Sequence, residues 1–311
     1  MHALIPRACG PSRRFARLAV LLLGLLLTLP VLAAPPVPLL WKVSDADNSV
    51  YLLGSFHMLR PGDEVLAAEV EDAFAAADAL VFELAPDEAT SPTLAAAMLR
   101  AALRKRPGTL QDDLGPALWA RMQAHAAATG LPLAQLSGVE PWFLGLTLAI
   151  GQLQRMGFDP ALGVDRQLMQ AAASAGKPAS GLERAADQIA VLAGMPLATQ
   201  VQMLDQSLAQ AEAGDEAIEA MYRTWRRGDA EGLWRLLGED LRRQYPELYR
   251  HINVARNEAW LPQIRQRLER GQGDVLVVVG ALHLLGSDGL VERLRAQGYR
   301  VERVCRACAG R

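Results

Sequence analysis

Tyr51-Leu52-Leu53-Gly54-Ser55-Phe56-His57-Met58-Leu59 and Val277-Val278-Val279-Gly280-Ala281-Leu282-His283-Leu284-Leu285 are built alike. Each is an apolar, strand-like run ending in Gly-x-x-His, then a short loop, a helical pattern and a second strand-like run. Outward from the first copy, residues 39–43 and 49–54 read as strands joined across Asp45-Ala46-Asp47-Asn48, whose composition favours a hairpin turn. Asp63 is placed to N-cap a helix carrying Leu66, Val70, Ala73, Phe74 and Ala77 at helical spacing. Residues 79–84 then read as a buried strand. Around the second copy, residues 274–279 form a β-branched strand, Ser287 caps a helix bearing Leu290, Val291 and Leu294, and residues 299–304 form the last strand. Strand–helix–strand connections are parallel and right-handed. Both histidines therefore follow the carboxyl ends of strands, where open α/β sheets assemble their sites.

Between these units the composition is helical over residues 91–106, 116–129, 140–156, 165–175, 185–193, 197–213, 216–227, 230–237 and 246–270. One short strand interrupts them, at Leu182-Glu183 after Gly176-Lys177-Pro178. The expected fold class is α/β: a small mixed sheet made by the N- and C-terminal βαβ units, carrying a large helical insertion over about residues 90–270. One domain spans residues 34–304, with a tail at 305–311.

The first 33 residues carry Arg7, Arg13, Arg14 and Arg17, no acid, and an apolar run over residues 18–32 that leads to Ala33-Ala34-Pro35. That pattern reads as a secretory leader with cleavage expected after Ala33, and hence a periplasmic or secreted protein. A membrane anchor is the alternative, but the run is short for a span of roughly 20 residues. No later segment is apolar enough to span a bilayer. Ser12-Arg13-Arg14-Phe15 leaves twin-arginine export open beside the general route. Losing four arginines and no acid takes the formal charge from −2 to −6. An acidic mature chain is a poor binder of nucleic-acid phosphates. Cys9 leaves with the leader, so Cys305 and Cys308 remain. In an exported chain this C-terminal C-x-x-C reads most simply as a local disulfide.

Two imidazoles at equivalent places in a repeated unit invite a shared site. Histidine nitrogens and one carboxylate hold transition-metal ions with positions left open for substrate. His57 and His283 supply the imidazoles. Glu83 is the leading carboxylate, because a charge inside Leu80-Val81-Phe82-Glu83-Leu84 is costly unless it is paired. Pairing with an arginine, or an outward position on an edge strand, is the ordinary alternative. The glycine three residues before each histidine is expected to turn the chain with positive φ and to leave room beside the ligand. Asp165, Glu183, Arg256 and Asn257 form a second tier. Asp165 is as well placed to N-cap a helix, Glu183 to cap the helix after it, and Arg256 to form a helix-surface ion pair. His125 and His251, in helical polar surroundings, read as surface residues. There is no G-x-S-x-G elbow, H-E-x-x-H pair or P-loop.

These residues resemble the TraB/GumN family, which includes the TraB and PrgY pheromone-shutdown proteins, the GumN proteins and the animal Tiki proteases; the likeness is greatest to bacterial GumN-type members. The resemblance is carried by Leu40-Trp41-Lys42-Val43, the two Gly-x-x-His units, Val81-Phe82-Glu83-Leu84, Gly163-Val164-Asp165, Gly176-Lys177-Pro178 with Leu182-Glu183, Trp225-Arg226-Arg227-Gly228-Asp229 and Arg256-Asn257-Glu258-Ala259-Trp260. It implies a metal-dependent peptidase with His57, His283 and Glu83 as ligands and manganese or cobalt as the ion, zinc being a further choice on ligand chemistry. Ser55 stands where the family often has threonine, which keeps a hydroxyl. The combined expectation is an exported hydrolase cleaving a peptide or protein substrate, with Glu183 or a metal-bound carboxylate relaying protons and Arg256 steadying an oxyanion. The alternative is a non-catalytic envelope protein that captures a peptide or haem.

Overall fold

The computed structural model describes residues 34–271 and 273–308. The proposed leader, residues 1–33, lies outside them. Six strands form one sheet among the described residues: β1 (Leu40–Ser44), β2 (Ser49–Ser55), β3 (Ala79–Leu84), β4 (Ala179–Glu183), β5 (Val275–Gly280) and β6 (Arg300–Arg303), in the order β4-β3-β5-β2-β1-β6. β4, β3, β5 and β2 are parallel; β1 runs antiparallel to β2, and β6 antiparallel to β1. The fold is mixed α/β, as the sequence pattern predicts.

β2 and β5 are the central pair. Their residues are almost all buried, as near-continuous apolar runs in a parallel sheet covered on both faces must be. Leu53 stands opposite Val278, Gly54 opposite Val279 and Ser55 opposite Gly280. The two Gly-x-x-His units therefore leave neighbouring strands at the same end of the sheet. The strand–helix–strand order holds, but the strands that each unit joins are not neighbours. β5 lies between β2 and β3, while β2 and β1 lie between β5 and β6. The strands of each unit thus complete the other's part of the sheet, which fastens the two units together.

The β1–β2 turn is held by Asp45 Oδ1, which accepts from the backbone N–H groups of Asp47 and Asn48 at 3.3 and 3.2 Å. Asp63 does not cap the first helix, which spans Ala68–Ala76 behind Ala67. Its carboxylate instead accepts from Tyr222 Oη at 2.6 Å and pairs with Arg226, fixing helix Asp215–Arg226 against the loop after β2. Two partners, one of them charged, outcompete a single backbone N–H. Ser287 likewise leaves the cap of helix Leu290–Ala296 to Gly289 and accepts from Arg242 Nη1 at 3.2 Å.

The insertion comes in two pieces, residues 86–175 between β3 and β4 and residues 185–270 between β4 and β5. Its outer helices have their own apolar centre around Leu110, Met122, Leu144, Leu204 and Leu208. The sheet's core instead takes in Trp260, Ile264 and Leu268 of helix Ala255–Arg270, with Ile218, Tyr222 and Trp225 of helix Asp215–Arg226. The expected continuous helix over residues 246–270 is broken. Helix Pro246–Tyr249 gives way to a π-helical turn, Arg250–Val254, before Ala255–Arg270 begins. Such wide turns re-aim the side chains that follow, and here those are Arg256 and Asn257. At the C-terminus Cys305 and Cys308 form a disulfide with Cα atoms 5.3 Å apart. No helix among the described residues is long and apolar enough to cross a membrane.

Candidate active site

Both Gly-x-x-His glycines are needed for space, and neither has positive φ. A Cβ on Gly280 would stand 2.9 Å from His57 Nε2 and 3.2 Å from Glu83 Oε1. One on Gly54 would meet Ala281 Cα and Leu39 Cβ at 3.1 Å. The turn expected from left-handed backbone comes instead after Gly280, where Ala281–Leu284 forms a 3-10 turn with ordinary negative φ at its cap. A third glycine does similar work: a Cβ on Gly163 would lie 2.2 Å from His57 O. This close approach, with Val164 N–H donating to Phe56 O at 3.2 Å, brings the first turn of helix Val164–Ala175 against the His57 loop.

Around this strand end the sequence candidates converge. Glu83 Oε1 lies 3.7 Å from His57 Nε2 and 4.0 Å from His283 Nε2, and accepts from Gly280 N–H at 2.7 Å. Glu83 is on an internal strand and points into the site, so its outward edge-strand alternative does not hold. Its other oxygen accepts from Arg256 Nη2 at 2.6 Å. Arg256 Nη1 donates to His283 Nε2 at 3.1 Å, and its Nε donates to Glu183 Oε2 at 3.2 Å. Arg256 is thus no helix-surface ion pair: its side chain is only 12% exposed and lies among the other site groups.

His283 is buried, and its Nδ1 lies 2.8 Å from Asn257 Oδ1. Asn257 Nδ2 donates to His283 O at 3.1 Å and to Asp288 O at 2.9 Å. That orientation makes Oδ1 an acceptor, so His283 carries its proton on Nδ1 and presents the Nε2 lone pair to the site. His57 is more open. Its Nδ1 lies 3.2 Å from Asp165 Oδ1. Asp165 therefore serves His57, while Gly163 stands at the helix cap.

Electrostatics separate the two histidines. Burial pushes His283 down to about 3; the attraction of Glu83 is partly cancelled by Arg256 and His57. For His57, desolvation opposes the charge, but Asp165 and Glu83 outweigh it and push the pKa up to about 9. Burial also opposes ionisation of Glu83, yet Arg256, the imidazoles and Gly280 N–H hold its carboxyl well below the usual range. At neutral pH Arg256 and His57 are therefore cationic and Glu83 is anionic, with His283 neutral.

Residues outside the sequence candidates complete the shell. Glu183 also accepts from Trp260 Nε1 at 3.2 Å and Gln188 Nε2 at 3.0 Å. With Arg256 this fills its lone-pair sites, making Glu183 an anchor for the guanidinium rather than a proton relay. Trp260 packs on His283 with ring centroids 4.5 Å apart, and Arg256 lies over the same indole at 4.6 Å. The signal for Trp260 was its spacing: Arg256 and Trp260 are four residues apart on one helix and so share a face. His125 and His251 lie elsewhere; both are half-buried rather than surface residues.

The donor set can be tested for fit to a metal ion. Among the described residues, no group of three or more His, Cys, Asp or Glu side chains is gathered closely enough to hold one as the side chains stand. The cause is visible, since Arg256 supplies the positive charge and occupies the His283 lone pair. In kind and direction the donors fit. Two bonds of about 2.1 Å to one ion separate their donor atoms by up to about 4.2 Å, which spans the 3.7 and 4.0 Å seen here. Asp165 and Asn257 hold the far nitrogens of the two rings, as outer partners of histidine ligands do. Closing on an ion requires Arg256 Nη1 to leave His283 and His57 to give up its Nε2 proton.

The TraB/PrgY/gumN family model matches residues 39–303, nearly all of the described chain, and the chain belongs to that family. No curated protein and no solved structure matches it.

Proposed function

We propose that the chain is an exported, metal-dependent hydrolase of peptide bonds. A divalent ion (manganese, cobalt or zinc) would be held by His57 Nε2, Glu83 Oε1 and His283 Nε2. The observation that carries this reading is the position of Glu83 Oε1 between two imidazoles from opposite ends of the chain. A bound ion of this kind polarises a carbonyl and lowers the pKa of water towards about 7. The chain's own groups have separate tasks. Asn257 fixes the His283 tautomer, and Asp165 holds His57. Arg256, moved off His283 but anchored by Glu183, faces the same point with a cation suited to a developing oxyanion. Hydrolysis adds one water across the C–N bond, hydroxyl to the carbonyl carbon and proton to the leaving amine. Export is supported by the N-terminal pattern and by the Cys305–Cys308 disulfide, which persists in oxidising compartments.

The deciding experiment is elemental analysis of the purified protein beside His57→Ala and His283→Ala, followed by peptide-library cleavage with added divalent ions. The reading expects near-stoichiometric metal in the wild type and loss in both variants. Equal trace metal in all three defeats it.

A further inference from the structure

A cleft of about 410 Å³ opens directly on His57, Glu83 and Asp165, a volume in the range of small-ligand sites. Its remaining wall is not uniform. Leu84, Ile150, Pro160 and Met169 make one part apolar, and Arg166 adds a cation. Ile150, one of these lining residues, is 38% exposed, a large aliphatic side chain left partly in water. Arg166 follows Asp165 in the first turn of the same helix. Its guanidinium donates to Ala89 O at 3.0 Å, and no carboxylate among the described residues pairs with it. The other cations near the site are committed: Arg256 to Glu83 and Glu183, and His57 to Asp165. The larger groove of about 650 Å³ beside Trp41 and Trp234 contains none of the site residues.

An apolar wall, a cation without an acidic partner among the described residues, and two of the proposed metal-holding groups, His57 and Glu83, in one cleft define a specific occupant. We infer that the cleft takes the C-terminal residue of a peptide, with its aliphatic or aromatic side chain against Ile150 and Met169 and its free carboxylate on Arg166. This rests on the proposed hydrolase and narrows it to carboxypeptidase-type cleavage. The bond broken is the C–N bond before the last residue, one water is consumed, and a shortened peptide and one free apolar amino acid result. Arg suits the carboxylate because its fork can donate two parallel hydrogen bonds, one arm remaining on Ala89 O.

The test measures binding, so it does not depend on turnover. N-acetyl-Ala-Ala-Leu, its C-terminal amide and N-acetyl-Ala-Ala-Asp are titrated calorimetrically into the protein, and into Arg166→Gln, Arg166→Lys and Ile150→Glu. The free acid is expected to bind roughly tenfold or more tightly than the amide, the ratio for one charge-assisted contact. Arg166→Gln removes that ratio and Arg166→Lys restores part of it. Ile150→Glu, a change at a half-open position that the fold tolerates, abolishes the preference for Leu over Asp. Equal binding of acid and amide, or an unchanged ratio in Arg166→Gln, overturns the inference even if the metal analysis supports a hydrolase. Absence of binding by any of these peptides also overturns it, while the metal content of the histidine variants decides the broader reading separately.

Discussion

Arg256 Nη2 donates to Glu83 Oε2 at 2.6 Å across 173 residues of chain. The two side chains are each 12% exposed, so the bond is made in a medium where an unpaired charge is expensive. Arg256 also donates to Glu183, so one guanidinium organises both carboxylates. The same cation lies where the fit to a metal requires room. Stability and the proposed metal binding would therefore draw on Arg256 in opposite directions.

Arg256→Gln should expose that opposition. It leaves two mostly buried carboxylates without their cation, and breaking a buried pair costs up to about 3–5 kcal/mol. Arg256→Lys keeps the charge but loses the fork, and should fall between. Added manganese should raise the melting temperature of Arg256→Gln more than that of the wild type, because the ion replaces the missing charge. Thermal melts with and without manganese check both statements. A wild type stabilised as much as the variant would remove Arg256 from the account.

The two histidines should give the folded state opposite pH slopes. His57 is raised from 6.5 to about 9, so its contribution is fully present below pH 6.5 and is lost as pH rises through 9. His283 is depressed from 6.5 to about 3. The unfolded chain takes up that proton first, so stability falls as pH drops from 6.5 towards 3. From these two groups, stability peaks near pH 6.5. Denaturant midpoints across pH, with NMR titration of the imidazoles, read the slopes separately. Asp165→Asn should bring His57 back down and flatten the alkaline side, while the acid side stays unchanged.

Much of this site was legible in the chain before its fold. The repeated Gly-x-x-His after apolar runs located both imidazoles, and a lone acid in Leu80–Leu84 located Glu83, because local patterns record burial. Pairing order is not local. Nothing in residues 51–84 says that β5 will separate β2 from β3, since that follows from competition among strands for the centre of the sheet. Asp165 read equally well as a helix cap; its partner lies 108 residues away, and the glycine that allows the approach, Gly163, is marked by space rather than by positive φ. The π turn before Arg256 was invisible because one extra residue per turn hardly disturbs helical composition.

Asn257 should behave as a structural post for His283 rather than as an ordinary helix residue. It is fully buried and satisfies His283 Nδ1 together with two backbone carbonyls. Asn257→Leu orphans all three, and each buried polar group left without a partner costs about 1–3 kcal/mol. Partial relaxation leaves an expected loss of roughly 2–4 kcal/mol in denaturant unfolding. Asn257→Asp keeps the acceptor and adds charge, so the His283 pKa should rise. An Asn257→Leu protein as stable as the wild type would mean that water or a neighbour takes over these bonds.

Gly280→Ala and Gly54→Ala separate the site from the scaffold. At Gly280 the added methyl meets the far ends of two side chains, His57 Nε2 at 2.9 Å and Glu83 Oε1 at 3.2 Å. His57 is 55% exposed at its side chain and has solvent to retreat into. The sheet need not move, so stability should change by less than about 1 kcal/mol. The geometry between His57 and Glu83 opens, however, and the His57 pKa should fall as Glu83 recedes. At Gly54 the methyl meets Ala281 Cα, a backbone atom, and buried Leu39 Cβ, both at 3.1 Å. Neither can yield without moving the chain, so overpacking of about 1–3 kcal/mol is expected. Thermal melts paired with the His57 titration distinguish the two variants. A Gly280→Ala protein that loses stability while keeping the wild-type His57 titration would show that this glycine serves the sheet and not the space between His57 and Glu83.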